Sequence, residues 1–186
     1  MTNAGNRRYF CPQCGVDALE SVDNKLYGCS RCGHTYFHNT AVAVSAVIER
    51  AGQIAWITRA REPGAGLLDL PGGFVERDES LEAAVLRETF EETGFTLSAP
   101  RYLFSIPNRY VFHGVRYSTV DVFFGCTLTD ASEFQPNEEA AALDWLAPGT
   151  VDPGRIAFES TRLALAELLK TASSSIARER PRAERS

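Results

Sequence analysis

Two periodicities organise the apolar positions of this chain. Between Thr40 and about Trp145, runs rich in Val, Ile, Phe and Tyr recur, which predicts strands over 41–50, 53–61, 96–106, 117–127 and 142–146. Residues 108–115, with Tyr110, Phe112 and Gly114 alternating, read as a hairpin arm feeding the next strand. Helical spacing takes over twice. Residues 81–93 form one helix, with Asp78, Glu79 and Ser80 as start chemistry and Gly94 as a stop. Ile156, Leu163, Leu165, Leu168 and Leu169 mark a second, which follows the turn Asp152-Pro153-Gly154 and ends near Lys170. Mixed strands with one central and one terminal helix predict an α/β layered domain.

Composition adds boundaries. The 186 residues are 44% apolar and 23% charged, as in soluble globular chains. The longest strongly apolar run, residues 41–48, is far short of the roughly 20 residues a membrane helix needs, and the first ten residues carry no secretion-type apolar core. A cytoplasmic protein without membrane contact is therefore expected. Residues 1–38 hold four of the five Cys, and residues 171–186 are polar and Arg-rich, so the expected domains are 1–38, 39–170 and a flexible tail over 171–186. The net charge is −5, and the last sixteen residues hold four Arg and two Glu, which leaves −7 on residues 1–170. That balance disfavours nucleic acid as a partner. Seven acids and two Arg between Gly73 and Phe95 put −5 on one short segment, as a cation site would require.

The Cys fall in two C-x-x-C knuckles, Cys11/Cys14 and Cys29/Cys32, each followed by Gly. Two thiolates from each turn complete a tetrahedral Zn²⁺ shell, and a segment of about 30 residues lacks the core to fold without such help. Disulfides and a redox pair fit the context and spacing less well. With four thiolate ligands the zinc has no open position, so its expected role is structural. His34 and His38 are then surplus, and Cys126, in an apolar strand, reads as a small core residue. Residues 1–38 carry only +1, so bracing or dimerisation is the expected use of the ribbon, with a second copy of the chain as a candidate partner.

On the central helix, setting Glu88 at 0° puts Glu91 at about 300° and Glu92 at about 40°. Ala83, Leu86 and Phe90 then occupy the opposite side, while Leu81, Ala84 and Val85 lie under the glutamates one or two turns earlier. The expectation is a helix gripped by protein over its first half that opens three converging carboxylates at its end. Like charges at this spacing repel, and a helix C-terminus disfavours anions. No Lys relieves them, and Arg87, at about 260°, serves one side only. A hard divalent cation, Mg²⁺ or Mn²⁺, answers that need.

Gly73, Glu79, Arg87, Glu88, Glu91, Glu92, Gly94 and Phe95 fill eight of the nine specified places of the Nudix box, G-x5-E-x7-R-E-U-x-E-E-x-G-U. The segment thus resembles the Nudix hydrolase family. The departure is Thr89, where the family prefers an aliphatic side chain; a small packing cost is expected. A four-cysteine ribbon ahead of the box further resembles the NADH pyrophosphatase branch and its relatives. The resemblance implies a Nudix fold, a mixed β-sheet between helices, behind a small β-type ribbon. It also implies hydrolysis of a nucleoside diphosphate linked to another group, such as NAD(H) or ADP-ribose. In its terms Glu88, Glu91 and Glu92 hold Mg²⁺, and Arg87 orients Glu88. Glu79 supports the loop–helix junction, and Gly72 and Gly73 let the backbone close on the metals. A further base is expected from the loop beyond the box, with Glu139 preferred over Glu138 and Glu133.

Substrate choice is less legible. The segment around Ser105 and Pro107 lacks the Trp of the NADH branch, and Pro107 sits twelve residues after Phe95 where ADP-ribose hydrolases have a proline at about fifteen. Tyr110, Phe112 and Tyr117, with Arg109 and Arg116, are candidates for a base-stacking wall, and Arg59 and Arg61 for diphosphate contacts. Two rivals stand beside a small nucleotide substrate: another Nudix specificity, such as capped RNA or a damaged nucleotide, and a nucleotide sensor that does not cut.

Overall fold

A computed structural model of the chain describes residues 9–23, 25–112, 115–131 and 133–178. It contains two units, Met1–Thr40 and Ala41–Ser186. In the first, β1 (Leu19–Ser21), β2 (Leu26–Cys29) and β3 (Thr35–Phe37) form an antiparallel sheet in that order. Among the described residues its buried core is Cys11, Leu19 and Cys29, with Ala18 and Tyr27 packed against it. So small a core needs a cross-link of some kind.

The second unit is a mixed sheet between two helices. Its strands are β4 (Ala41–Arg50), β5 (Gln53–Arg59), β6 (Leu68–Asp69), β7 (Gly72–Phe74), β8 (Phe95–Phe112), β9 (Val115–Ala131) and β10 (Ala140–Leu146). The order is β10-β5-β4-β9-β8, with β6 added on β5 and β7 on β4; β4 and β9 run parallel and the remaining pairs antiparallel. Strand alternation sorts the core into two layers. Val44, Ala46, Ile48, Val122 and Phe124 pack against Ala84 and Val85 of α1 (Leu81–Thr93). Val47, Ile54, Trp56 and Phe123, from the opposite face, pack against Ala164 and Leu165 of α2 (Glu159–Arg178).

One irregularity makes the site. β4 and β5 pair only at Glu49↔Ile54 and Arg50↔Gln53. Beyond that point β6 lies on β5 and β7 on β4, so the short strands occupy the space between the two long ones.

The predicted strands and the bounds of α1 match closely, and three segments differ. The predicted strand over 96–106 and the following arm merge into β8, which pairs along its length with β9 as far as Phe112↔Val115. Residues 153–155 form a 3-10 turn, capped by Asp152 accepting from Gly154 N, and α2 begins only at Glu159. α2 also runs to Arg178, into the stretch read as a flexible tail. Polarity had suggested the tail, but no Gly or Pro interrupts residues 171–178, and Ala and polar residues sustain a helix. Residues 179–186 of that tail lie outside the described residues. Among the described residues, no helix is long and apolar enough to cross a membrane.

Candidate active site and metal centre

The site begins with the chain reversal Leu70-Pro71-Gly72-Gly73. β7 sets Gly72 opposite Ser45 and Gly73 opposite Val44. At Gly72, φ is +152° and a Cβ would strike the Val44 carbonyl; at Gly73 a Cβ would strike the Glu88 carboxylate. Only glycine allows this approach. Gly72 N–H then donates to Glu92 Oε2 at 2.8 Å, tying loop to helix.

α1 is capped at both ends, by Ser80 Oγ accepting from Ala83 N and by Gly94, φ +73°, donating to Phe90 O. Arg87 fastens its middle to the loop. Its Nε and Nη2 donate to the two oxygens of Glu79 at 2.8 Å each, and Nη2 also to Phe74 O at 3.2 Å. Its Nη1 donates to Glu88 Oε1 at 2.8 Å and to Glu91 Oε2 at 3.1 Å. This fork holds the Glu79 carboxyl down at about 2 and raises the guanidinium in turn.

The helix faces differ from the expectation in two ways. Phe90, placed opposite the acids, is 57% exposed, while the buried residues are Ala84, Val85, Thr89, Glu92 and Thr93. The sheet packs on the flank that holds Glu92, so Glu92 is buried and Glu91, on the other flank, has a half-exposed side chain. Glu88 and Glu92 line a common cleft while Glu91 does not, and Arg87 serves both Glu88 and Glu91. Thr89 is fully buried and its hydroxyl has no hydrogen-bond partner, which is the cost of its departure from an aliphatic side chain.

A cleft of about 490 Å³ opens between β4, β5, the loop and the N-terminus of α2. Glu88, Glu92, Glu139, Arg59, Arg61, Gly72, Gly73 and Tyr110 all line it; Glu91 and Arg87 do not, nor do Tyr117, Arg109 or Arg116. Glu138 and Glu133 are exposed and outside the lining. Seven acids line the cleft: Glu62, Asp69, Glu76, Glu88, Glu92, Asp121 and Glu139. Burial pushes Asp69 up to about 6 although Arg59 beside it pulls the other way. Burial also raises Glu88, and raises Glu92 well above the ordinary range, with the charges of Asp69, Glu88 and Glu139 adding to the effect on Glu92. Arg87 pairs with Glu88, Arg59 with Asp69 and Arg61 with Glu139. Glu92 has no cation partner among the described residues; it accepts only from Gly72.

Desolvated oxygen donors, with the buried Glu92 carboxylate unpaired among the described residues, suit a hard divalent cation. Among the described residues, however, no three of these oxygens lie within 4.8 Å of one another, so an ion would have to gather the side chains.

Several lining residues carried no sequence signal. Asp69 sat in an apolar run and Phe158 before a helix, positions that only the tertiary fold brings together. Asp69 accepts from Thr161 Oγ1 and Leu70 N at 2.9 Å. The buried Asp121 accepts from Asn108 Nδ2, Thr119 Oγ1 and Ser160 Oγ. Ser160 and Thr161, successive residues of the first turn of α2, thus moor that helix to two cleft carboxylates. At the far end Tyr110 packs against Phe74, Phe112 and Phe158 at 5.3, 6.3 and 5.8 Å between ring centroids, and the Arg59 guanidinium covers Phe158 at 4.9 Å. Acid, base and aromatic surface therefore succeed one another along one cleft.

In the first unit, the Sγ atoms of Cys11, Cys14, Cys29 and Cys32 all lie within 4.8 Å of one another. Cys11–Cys32 and Cys14–Cys29 are 3.8 Å apart, and none is in a disulfide. A tetrahedron with Zn–S of about 2.3 Å has edges of about 3.8 Å. The knuckles close by Gly15 N donating to Cys11 O and Gly33 N to Cys29 O. The Cys32 N–H lowers the Cys29 thiol, while burial and the three neighbouring thiols push Cys32 up, so the four sulfurs share their protons unevenly.

Comparison with known proteins agrees with this geometry. The NUDIX domain family model matches residues 38–166. The "NAD-capped RNA hydrolase NudC" of Haemophilus influenzae (strain PittGG) is 32% identical over 100 residues, 53% of this chain and 38% of the relative. The "ADP-ribose pyrophosphatase" of Methanocaldococcus jannaschii is 45% identical over 76 residues, 40% of this chain and 44% of the relative. The chain thus spans less than half the length of these relatives. The crystal structure of a NUDIX hydrolase from Nitrosomonas europaea aligns with a TM-score of 0.69 at 26% identity, over 94% of this chain and 96% of that one.

Proposed function

This chain belongs to the NUDIX domain family, and on that premise we propose that it hydrolyses the diphosphate bond of a nucleoside diphosphate linked to another group. NAD(H) and ADP-ribose are the preferred candidates, and the products are a nucleoside monophosphate and a phosphorylated remainder. The observation that carries the reading is Glu92: a buried carboxylate in an acid-lined cleft, held by the Gly72 N–H and without a cation partner among the described residues.

Glu88 and Glu92 would hold Mg²⁺ or Mn²⁺ from the cleft side, with Glu91 contributing only if it leaves Arg87. When bound, the ion neutralises charge on the diphosphate and acidifies water. The chain supplies the rest. Arg87 fixes Glu88 through Nη1, while Glu79 fixes Arg87. Arg59 and Arg61 bind the diphosphate oxygens, the latter by leaving Glu139. Glu139, which lines the same cleft, then takes a proton from the attacking water at its carboxylate oxygen. Tyr110 and Phe112, whose rings lie 17° from parallel, offer aromatic surface to the nucleobase.

The four-thiol cluster would carry a structural Zn²⁺, in a ribbon over 1–38 preceding a catalytic domain over 39–170. A cytoplasmic setting would keep the thiols reduced and able to bind. A second reading, favoured by the NAD-capped RNA hydrolases among the relatives, is the same bond at an NAD-capped RNA end.

A panel of dinucleoside and nucleotide-sugar diphosphates, incubated with the protein and Mg²⁺, tests the reading. At least one compound should release a monophosphate, and Glu92→Gln should abolish the release while the circular dichroism spectrum stays native. Tight ligand binding without turnover by the wild type would favour the sensor instead.

A further inference from the structure

We infer that Asn137 is a positioning residue whose side-chain amide couples the end of α1, which carries Glu88 and Glu92, to the turn that carries Glu139. The inference rests on the reading of Glu139 as the base. Asn137 Nδ2 donates to Glu92 O at 3.0 Å and to Glu91 O at 3.4 Å. Its Oδ1 accepts from Glu139 N and Ala140 N, both at 2.9 Å, and its own N–H donates to Ala140 O at 2.9 Å.

The last carbonyls of a helix have no donor within it. Gly94 N serves Phe90 O, and Asn137 serves the two that follow. The orientation of the amide is unambiguous, because backbone carbonyls only accept and backbone N–H groups only donate. One planar group therefore clamps two elements at once. Asp keeps the acceptors but has no donor for the helix. Ala has neither. On its other side Glu139 is held by Ala60 N donating to its carbonyl and by the Arg61 side chain. Once substrate phosphate draws Arg61 away, the Asn137 clamp and the Ala60 bond are what keep the Glu139 carboxylate registered against Glu88 and Glu92. A misplacement of about 1 Å in such a constellation costs about a hundredfold in rate.

The experiment is a double-mutant cycle on ADP-ribose and NADH hydrolysis with Mg²⁺. Asn137→Ala is expected to lower kcat about a hundredfold with little change in KM. In the Glu139→Gln background the same change should cost no more than about twofold, because the group it positions is gone. Asn137→Asp, which retains the turn, should lower kcat in the same direction and serves if Asn137→Ala does not fold. An unchanged kcat in Asn137→Ala, or a full hundredfold further loss in the Glu139→Gln background, would overturn the positioning role alone. Glu139→Gln with wild-type kcat would sink the base assignment and this inference with it, leaving hydrolysis intact; a wild-type chain that cleaves nothing would sink all three.

Discussion

Thr89 and Glu92 occupy neighbouring turns of the same buried flank, and each carries an unmet polar demand. For Glu92 the demand is functional: a charge buried beside other charges is held ready for a cation. For Thr89 the apolar side chains around α1 offer its hydroxyl nothing. Thr89→Val keeps the shape and removes the unpaired group, so unfolding should become harder by about 1 kcal/mol. A higher urea midpoint at unchanged slope, with kcat unaltered, is the expected result. Sequence spacing located Glu88, Glu92, Arg87 and the glycine pair because their constraints are local, a helix register and a turn. It did not foresee that Glu91 would sit half-exposed outside the cleft lining, since a wheel gives angles but not which flank the sheet will cover. It passed over Asp69 and Asn137, whose partners lie far along the chain.

At the scale of elements, what was legible followed from periodicity and what was not followed from tertiary pairing. β4 and α1 were read within their observed bounds, because alternation and capping residues are written locally. β6 and β7, two and three residues long, have no period to detect, yet their insertion beside β4 and β5 opens the cleft. The ribbon strands were equally silent, but the cysteines that pin them were plain. Three short strands around so small a core cannot hold themselves. Metal analysis should find about one zinc per chain. Cys29→Ser should lower that content sharply, and the amides of Tyr27 and Gly28 in β2 should lose protection from hydrogen exchange. Retained protection in a zinc-free chain would refute the metal's structural role.

For the whole molecule, the buried acids make stability depend on pH in a direction opposite to that of most ion-paired carboxylates. Asp69 moves from an ordinary 3.8 to about 6 on folding, and Glu88 and Glu92 move upward as well. The folded state then binds protons that the unfolded chain has released, so without divalent ions the contribution of Asp69 is full below about 3.8 and is lost as pH rises through about 6. Glu79 works the other way: depressed from 4.5 to about 2, its contribution is present above 4.5 and lost as pH falls through 2. Together these shifts place the optimum of the ion-free protein at about pH 4, where the Glu79 contribution is largely present and the raised acids are still protonated in the folded state. Mg²⁺ binds only the ionised acids, so it should restore stability at pH 7 and do little at pH 4. Melting temperatures measured across pH 4–8, with and without Mg²⁺, and again for Glu92→Gln, check this. The variant should show a shallower decline and a smaller response to Mg²⁺, because it has lost a buried carboxylate that meets no cation among the described residues.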